Sequence, residues 1–356
     1  AGLARVIKAL ADETNQTISS DLSDLCVQIS VDDESLAVAR SLASGRRSAI
    51  WLGNYAVQHK NAAQIHALSQ EIARLANSAF GVIGEAANSV GGYLAGAVPY
   101  GLIEGKNAAQ MLSTPLKAYI LAGVEPALDI ADGVSAVKSL RQAEMVAALT
   151  VFKSQSLLDL ADVLLPIAPF TETAGVFVNC EGRAQAFHPV TKSAGESRAG
   201  WKVLRVIGSA LELDGFDFGT IEDVRNKVLG NSVAVDSLKL GNLLAIERFT
   251  LPGAVSGIQR IADIPIYSAD PIVRRSGPLQ ATRDADAPSA RMSSSLISKI
   301  GLTPGEKVRI KSETGEVTVV LIEDDAVAAG CLRLAGGHGD TMSLGGLHGE
   351  VSVECA

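Results

Sequence analysis

Residues 161–185 read ADVLLPIAPFTETAGVFVNCEGRAQ. The first five residues are a short apolar run rich in branched side chains, stopped by Pro166, which predicts a buried parallel strand. Beyond it lie Glu172, Gly175, Asn179, Glu181, Gly182, Arg183 and Gln185, with Phe177 and Val178 set among them. Those two apolar residues mark the stretch as more than a solvated tail. One reading is a strand, an ordered loop and a hairpin. The other is a loop whose backbone and carboxamide groups face a bound polar ligand, as ligand loops often do.

Upstream, short apolar runs alternate with helical spacing. Strands are predicted at 27–31, 48–52, 80–83, 117–122 and 145–152. Helices are predicted at 3–10, 34–42, 62–75, 108–112, 134–141 and 156–160; in 62–75 the residues Ile65, Leu68, Ile72 and Leu75 recur at intervals of three and four. This alternation indicates βαβ units and a mostly parallel sheet flanked by helices. Gly53-Asn54, 84–92, 123–126, 153–156 and 166–175 all follow strands. In an open parallel sheet such loops gather at the carboxyl edge, where ligands bind. The quoted stretch is therefore expected to form one wall of a crevice.

Past residue 185 the pattern changes. Helices are expected at 201–211, 221–229 and, more faintly, 236–246, forming a helical lobe over about 201–250 on an α/β domain of 1–250. Residues 251–294 are rich in Pro, Gly, Ser and Asp and are expected to be a connection. They include Asp270-Pro271-Ile272-Val273-Arg274-Arg275. From 295 to 356 a hairpin alternates through Val308, Ile310, Val317, Val319 and Leu321, turning at Thr314-Gly315, and further strands are expected at 331–335 and 351–353.

Composition narrows the function. With 356 residues, 47% hydrophobic and 20% charged, the chain can bury a large interior and is long enough for two domains. A net charge of −8 without a basic block argues against nucleic-acid binding. Glu85, Asn88, Lys106, Glu125 and Asp129 interrupt the most apolar stretches, so no membrane insertion is expected. Cys26, Cys180, Cys331 and Cys355 are too far apart for a zinc or iron–sulfur motif and suggest reduced thiols. The first residues open directly into a helical pattern without Met, which suggests a piece of a longer polypeptide.

The chemistry-bearing residues are sparse. Glu172 and Glu181 could form an acid/base pair, but no nucleophile or metal ligand accompanies them, and carboxylates commonly cap loops or pair with arginines such as Arg183. His338 and His348 lack a third ligand for a metal. No G-x-S-x-G elbow and no dinucleotide fingerprint occurs. No catalytic residue and no metal ligand is therefore assigned.

The quoted stretch resembles the signature ADVVLP…E…GTFxNxEGRxQ of the molybdopterin oxidoreductase superfamily, and within it the large iron–sulfur subunits of respiratory NADH:quinone oxidoreductase, complex I. The N-x-x-G element at Asn88 and Gly91, the Gly96 to Pro99 and Gly123 to Pro126 turns, and GLTPGEKVRIKSETGEVTVV near the C-terminus fit the same family. The resemblance implies a C-terminal double-psi β-barrel-like domain. It also implies a pterin crevice lined by Asn88, Gly91, Gly123, Glu125, Glu172, Gly175, Asn179, Glu181 and Arg183. For complex I it implies a vestigial crevice in a scaffold that holds no cofactor, iron–sulfur clusters in a missing N-terminal part, and peripheral-arm subunits and that iron–sulfur region as partners. The expected place is peripheral, on the cytoplasmic side of the inner membrane. Two alternatives stay open: the cofactor-binding part of an active, formate-dehydrogenase-like molybdopterin enzyme, and a plain small-ligand-binding α/β protein.

Overall fold

The structure is a computed structural model that describes residues 1–99, 105–230, 241, 243–251, 253 and 256–356. The weakly helical segment expected at 236–246 falls largely outside the described residues. Two compact units divide the chain. The first comprises 1–91, 177–185 and 232–255, and the second comprises 92–176, 186–231 and 256–356.

The first unit is built on helices around a two-stranded parallel sheet. Strands β1 (Ala49–Leu52) and β2 (Ala79–Val82) pair in parallel, joined through the Ala62–Leu75 helix. That helix has the bounds its spacing predicts, and Leu68, Ile72 and Leu75 face the core. Against them pack Ile7, Leu10 and Ala11 of the Gly2–Thr14 helix and Leu22 and Cys26 of the Ser20–Val27 helix. Each large side chain buried this fully contributes about 2 kcal/mol. Asp32 starts the Asp33–Ser44 helix by accepting from Ser35 N at 2.9 Å, and Asp33 and Glu34 favour its positive end.

The strand expected at 27–31 does not form. Leu22 and Cys26, four residues apart, both enter the core from a helix, and Val27 at its end is 74% exposed. Helical spacing prevails over the short alternation of Val27, Ile29 and Val31.

The second unit holds a three-stranded parallel sheet and a barrel. Strands β3 (Ala118–Ala122), β4 (Met145–Thr150) and β5 (Val163–Pro166) lie in that order. Parallel strands are thus present as expected, but in two sheets. The expected buried strand at 161–165 is an edge strand, with Val163 39% exposed, and β4 takes the buried centre. Pro166, which has no N–H to donate, suits an edge position. The chain then forms a hairpin of β6 (Gly175–Val178) and β7 (Ala184–Phe187). Helices follow at Gly200–Ala210 and Ile221–Leu229.

The barrel closes from six strands: β8 (Ile258–Ile261), β9 (Ala290–Met292), β10 (Lys307–Lys311), β11 (Glu316–Glu323), β12 (Cys331–Arg333) and β13 (His348–Cys355). Their order around it is β10, β11, β9, β12, β8, β13. The expected hairpin is β10–β11, with Val308 opposite Val319 and Ile310 opposite Val317. Two of the six strands, β8 and β9, come from the stretch expected to be only a connection. They are short and pair in parallel with β12 and β11, which are distant in sequence, so no local alternation announces them. Met292, Ile310, Leu321 and Leu332 fill the interior.

Candidate functional site

The crevice residues fall into both units. Asn88, Gly91, Asn179, Glu181 and Arg183 belong to the first; Gly123, Glu125, Glu172 and Gly175 belong to the second. In the first unit Asn179 folds the hairpin tip. Its Oδ1 accepts from Glu181 N at 3.0 Å and Arg183 N at 2.9 Å, while its own N–H donates to Arg183 O at 3.1 Å. Asn88 Oδ1 accepts from Val178 N at 2.8 Å, fixing the hairpin, and a side chain on Gly91 would collide with the Asn88 amide. Glu181 and Arg183 are exposed, and among the described residues no ion pair joins them. Replacing Asn179 by Ala should destabilise the first unit by about 0.5–1.5 kcal/mol, because the turn loses its side-chain acceptor; urea unfolding followed by circular dichroism measures it.

In the second unit the carboxyl edge of β3–β4–β5 is the most structured part of the site. β3 is followed by Gly123, whose φ of 67° is left-handed and favours a residue without Cβ. The turn delivers Glu125, 3% exposed, to the start of the Pro126–Asp129 helix. Glu125 N donates to Asp129 Oδ2 at 2.6 Å.

Two arginines from the far side of the sequence meet this carboxylate. Asp270 caps the Pro271–Arg274 helix by accepting from Ile272 N at 2.7 Å and Val273 N at 3.0 Å. That turn carries Arg274 to Glu125 Oε2 at 2.8 Å and to Asp129 Oδ1 at 2.8 Å. Arg275 reaches both carboxylate oxygens of Glu125, and its guanidinium lies 4.6 Å from the Phe152 ring centre, just beyond β4. Burial alone would raise the Glu125 pKa, but hydrogen bonds and charge from Arg275 and Arg274 outweigh it and hold the group below the usual range. Burial likewise opposes the Arg274 charge, and Asp129 and Glu125 more than restore it. Two carboxylates face two guanidiniums in the cluster, so its formal charges balance. A carboxylate so held is a poor proton acceptor near neutrality.

Glu172 is likewise engaged, its Oε2 accepting from Ala194 N at 2.9 Å, and a side chain on Gly175 would strike Phe187. Within each unit these side chains thus serve the chain itself: in the first the Asn88 and Asn179 oxygens take hairpin amides, and in the second Glu125 takes two arginines and one Glu172 oxygen a backbone N–H. In the sequence Arg274 and Arg275 read as residues of a connection. The available signal was Asp270-Pro271, a helix start placed directly before two adjacent cations.

Comparison with known proteins fits this architecture. A molybdopterin oxidoreductase family model matches residues 8–210, more than half of the chain. The G subunit of NADH-quinone oxidoreductase from Mycobacterium bovis and from Mycobacterium tuberculosis is 27% identical over 211 residues, which is 57% of this chain and 25% of each relative. The mitochondrial 78 kDa subunit of NADH-ubiquinone oxidoreductase from Neurospora crassa is 35% identical over 78 residues, 22% of this chain and 10% of that protein. The chain thus spans a quarter or less of the length of these relatives. Acetylene hydratase from Pelobacter acetylenicus superposes with a TM-score of 0.65 at 12% identity, covering 99% of this chain and 70% of that one, a likeness of fold alone. Among the described residues no helix is long and apolar enough to cross a membrane. With parallel sheets, a closed barrel and a family match over residues 8–210, the chain belongs to the molybdopterin oxidoreductase family.

Proposed function

We propose that this chain is a scaffold region of the large iron–sulfur subunit of an NADH:quinone oxidoreductase, supporting electron transfer by the intact complex without turnover of its own. Its place would be the C-terminal part of that subunit, with iron–sulfur clusters in the N-terminal part. It would pack on that part and on other peripheral-arm subunits, at the cytoplasmic side of the inner membrane, with a barrel of the double-psi kind. One observation carries the reading: the Glu125 carboxylate at the carboxyl edge of β3–β5 is buried and neutralised by Arg274 and Arg275. A cofactor pocket would leave such groups facing the ligand. Here they tie distant segments of one unit together, which is what a scaffold needs. The similarity to complex I subunits over 57% of the chain favours the same reading.

The test is made in the assembled complex. Glu125→Gln should lower the amount of complex assembled and leave turnover per assembled complex unchanged. Lost turnover with full assembly would refute the scaffold role. Metal and pterin analysis gives a second readout: stoichiometric molybdenum with pterin in the purified protein would favour the alternative, the cofactor-binding part of an active, formate-dehydrogenase-like enzyme.

A further inference from the structure

The barrel carries a cation that no carboxylate among the described residues neutralises. Arg260 on β8 is 2% exposed. In the β8–β13 pairing Arg260 stands opposite Gly349, and Ile258 opposite Val351, so these four positions share one face. Ile258 and Val351 belong to the barrel core, which places Arg260 on the interior side. The guanidinium donates to Gly346 O at 2.9 Å and Ala335 O at 3.2 Å, and its Nε has no hydrogen-bond partner among the described residues. Burial lowers its pKa to about 10 with no opposing contribution from an acid, so it stays charged at neutral pH. A buried charge of this kind is costly unless an anion meets it.

Arg260 lines a cavity of about 650 Å³ within the second unit, bounded by β13, the β10–β11 turn and the start of the Gly133–Leu140 helix. Three acids stand on its walls, Asp132, Glu313 and Glu350, and among the described residues none of them bonds to Arg260. Asp132 caps that helix through Ser135 N at 3.0 Å, and Glu350 sits one residue from Gly349, on the opposite face of β13. The turn brings Lys311 as a second cation beside Glu313, while the hydroxyls of Ser312 and Thr314 bond to Gly315 O and Ser343 O.

We propose that this cavity binds the carboxylate or phosphate group of a small ligand, with Arg260 as its countercharge. The site is separate from the Glu125 cluster and does not depend on the scaffold role.

The probes are inorganic phosphate and acetate, each against chloride at matched ionic strength, on the full chain. Binding is read by thermal shift and by NMR titration. Saturable binding of one or both probes is expected, and which of them binds tells a phosphate-bearing ligand from a carboxylate. Arg260→Gln should weaken it at least about tenfold through loss of a charge-assisted hydrogen bond. Should that variant fail to fold, Gly346→Leu serves instead. It leaves Arg260 intact and adds bulk at a cavity-wall glycine whose Cβ would make only an ordinary contact, with His348 O at 3.7 Å. It should also weaken binding. Phosphate and acetate acting no better than chloride, or equal affinity in folded variants, would overturn the proposal.

Discussion

Arg274→Met should destabilise the second unit by about 3–5 kcal/mol, the range for removing one partner of a buried ion pair. The Arg274 side chain is 12% exposed and bridges Glu125, 4% exposed, to Asp129, 16% exposed, so little solvent replaces it. The variant leaves Glu125 with Arg275 alone and strips Asp129 of its cation. Arg275→Ala should cost less, because its 34% exposed side chain admits water as a substitute. Urea unfolding of the single variants and of Arg274→Met combined with Glu125→Gln forms a double-mutant cycle. A double variant less damaged than the sum of its parts is expected. Strict additivity would show that the two groups do not act together.

The same cluster sets a pH dependence. The folded Glu125 pKa lies below that of an unfolded Glu, about 4.3. In the window between the two values the unfolded chain binds more protons, so stability rises with pH there. The contribution is fully present above the unfolded value and is lost as pH falls through the folded one. Below roughly pH 4.5 the wild type should therefore lose stability more steeply than Arg274→Met.

Glu71→Ala should cost the first unit about 2–4 kcal/mol, through lost hydrogen bonds to a charged group and an unfilled site. Glu71 is 1% exposed on the core side of the Ala62–Leu75 helix. Its carboxylate accepts from Ser19 N and Ser19 Oγ, both at 2.8 Å, at the start of the Ser20–Val27 helix. Arg74 holds it at 2.8 and 2.7 Å and donates to Thr17 O at 2.7 Å, so one carboxylate fixes the chain's entry into a second helix. Burial pushes the Glu71 pKa up, yet the bonds from Arg74 and Ser19 win and leave it lowered, so its stabilisation is also lost on the acid side. Glu71→Gln keeps the shape without the charge and should fall between wild type and Ala. A Glu71→Ala variant within about 0.5 kcal/mol of wild type in urea unfolding would remove Glu71 as a structural clasp.

Much of the architecture was legible because it is local. The 62–75 helix shows its face in the spacing of Ile65, Leu68, Ile72 and Leu75, and β10–β11 shows its pairing in alternate Val and Ile residues around a Thr-Gly turn. Glu71 also sat in plain view on that apolar stripe, three residues beyond Leu68 and four before Leu75. A carboxylate in such a position signals a buried partner, though not which one. Other elements were hidden because their partners lie far away. β8 and β9 become strands only by pairing with β12 and β11, and β5 is an edge strand because β4 takes the centre of the sheet.

The sequence by itself determined the family-bearing stretch at 161–185, the alternation of strands and helices, and the glycine turns at strand ends, since propensity and periodicity act over a few residues. The tertiary structure alone decided what the polar residues do. Asn179 folds its own hairpin, Glu125 is enclosed by arginines almost 150 positions away in the chain, and Arg260 lies in a barrel where no acid among the described residues meets it. The physical reason is that a carboxylate reads the same in sequence whether it faces solvent, a ligand or a guanidinium. Its ionisation and its role depend on which distant groups the fold brings within hydrogen-bond reach.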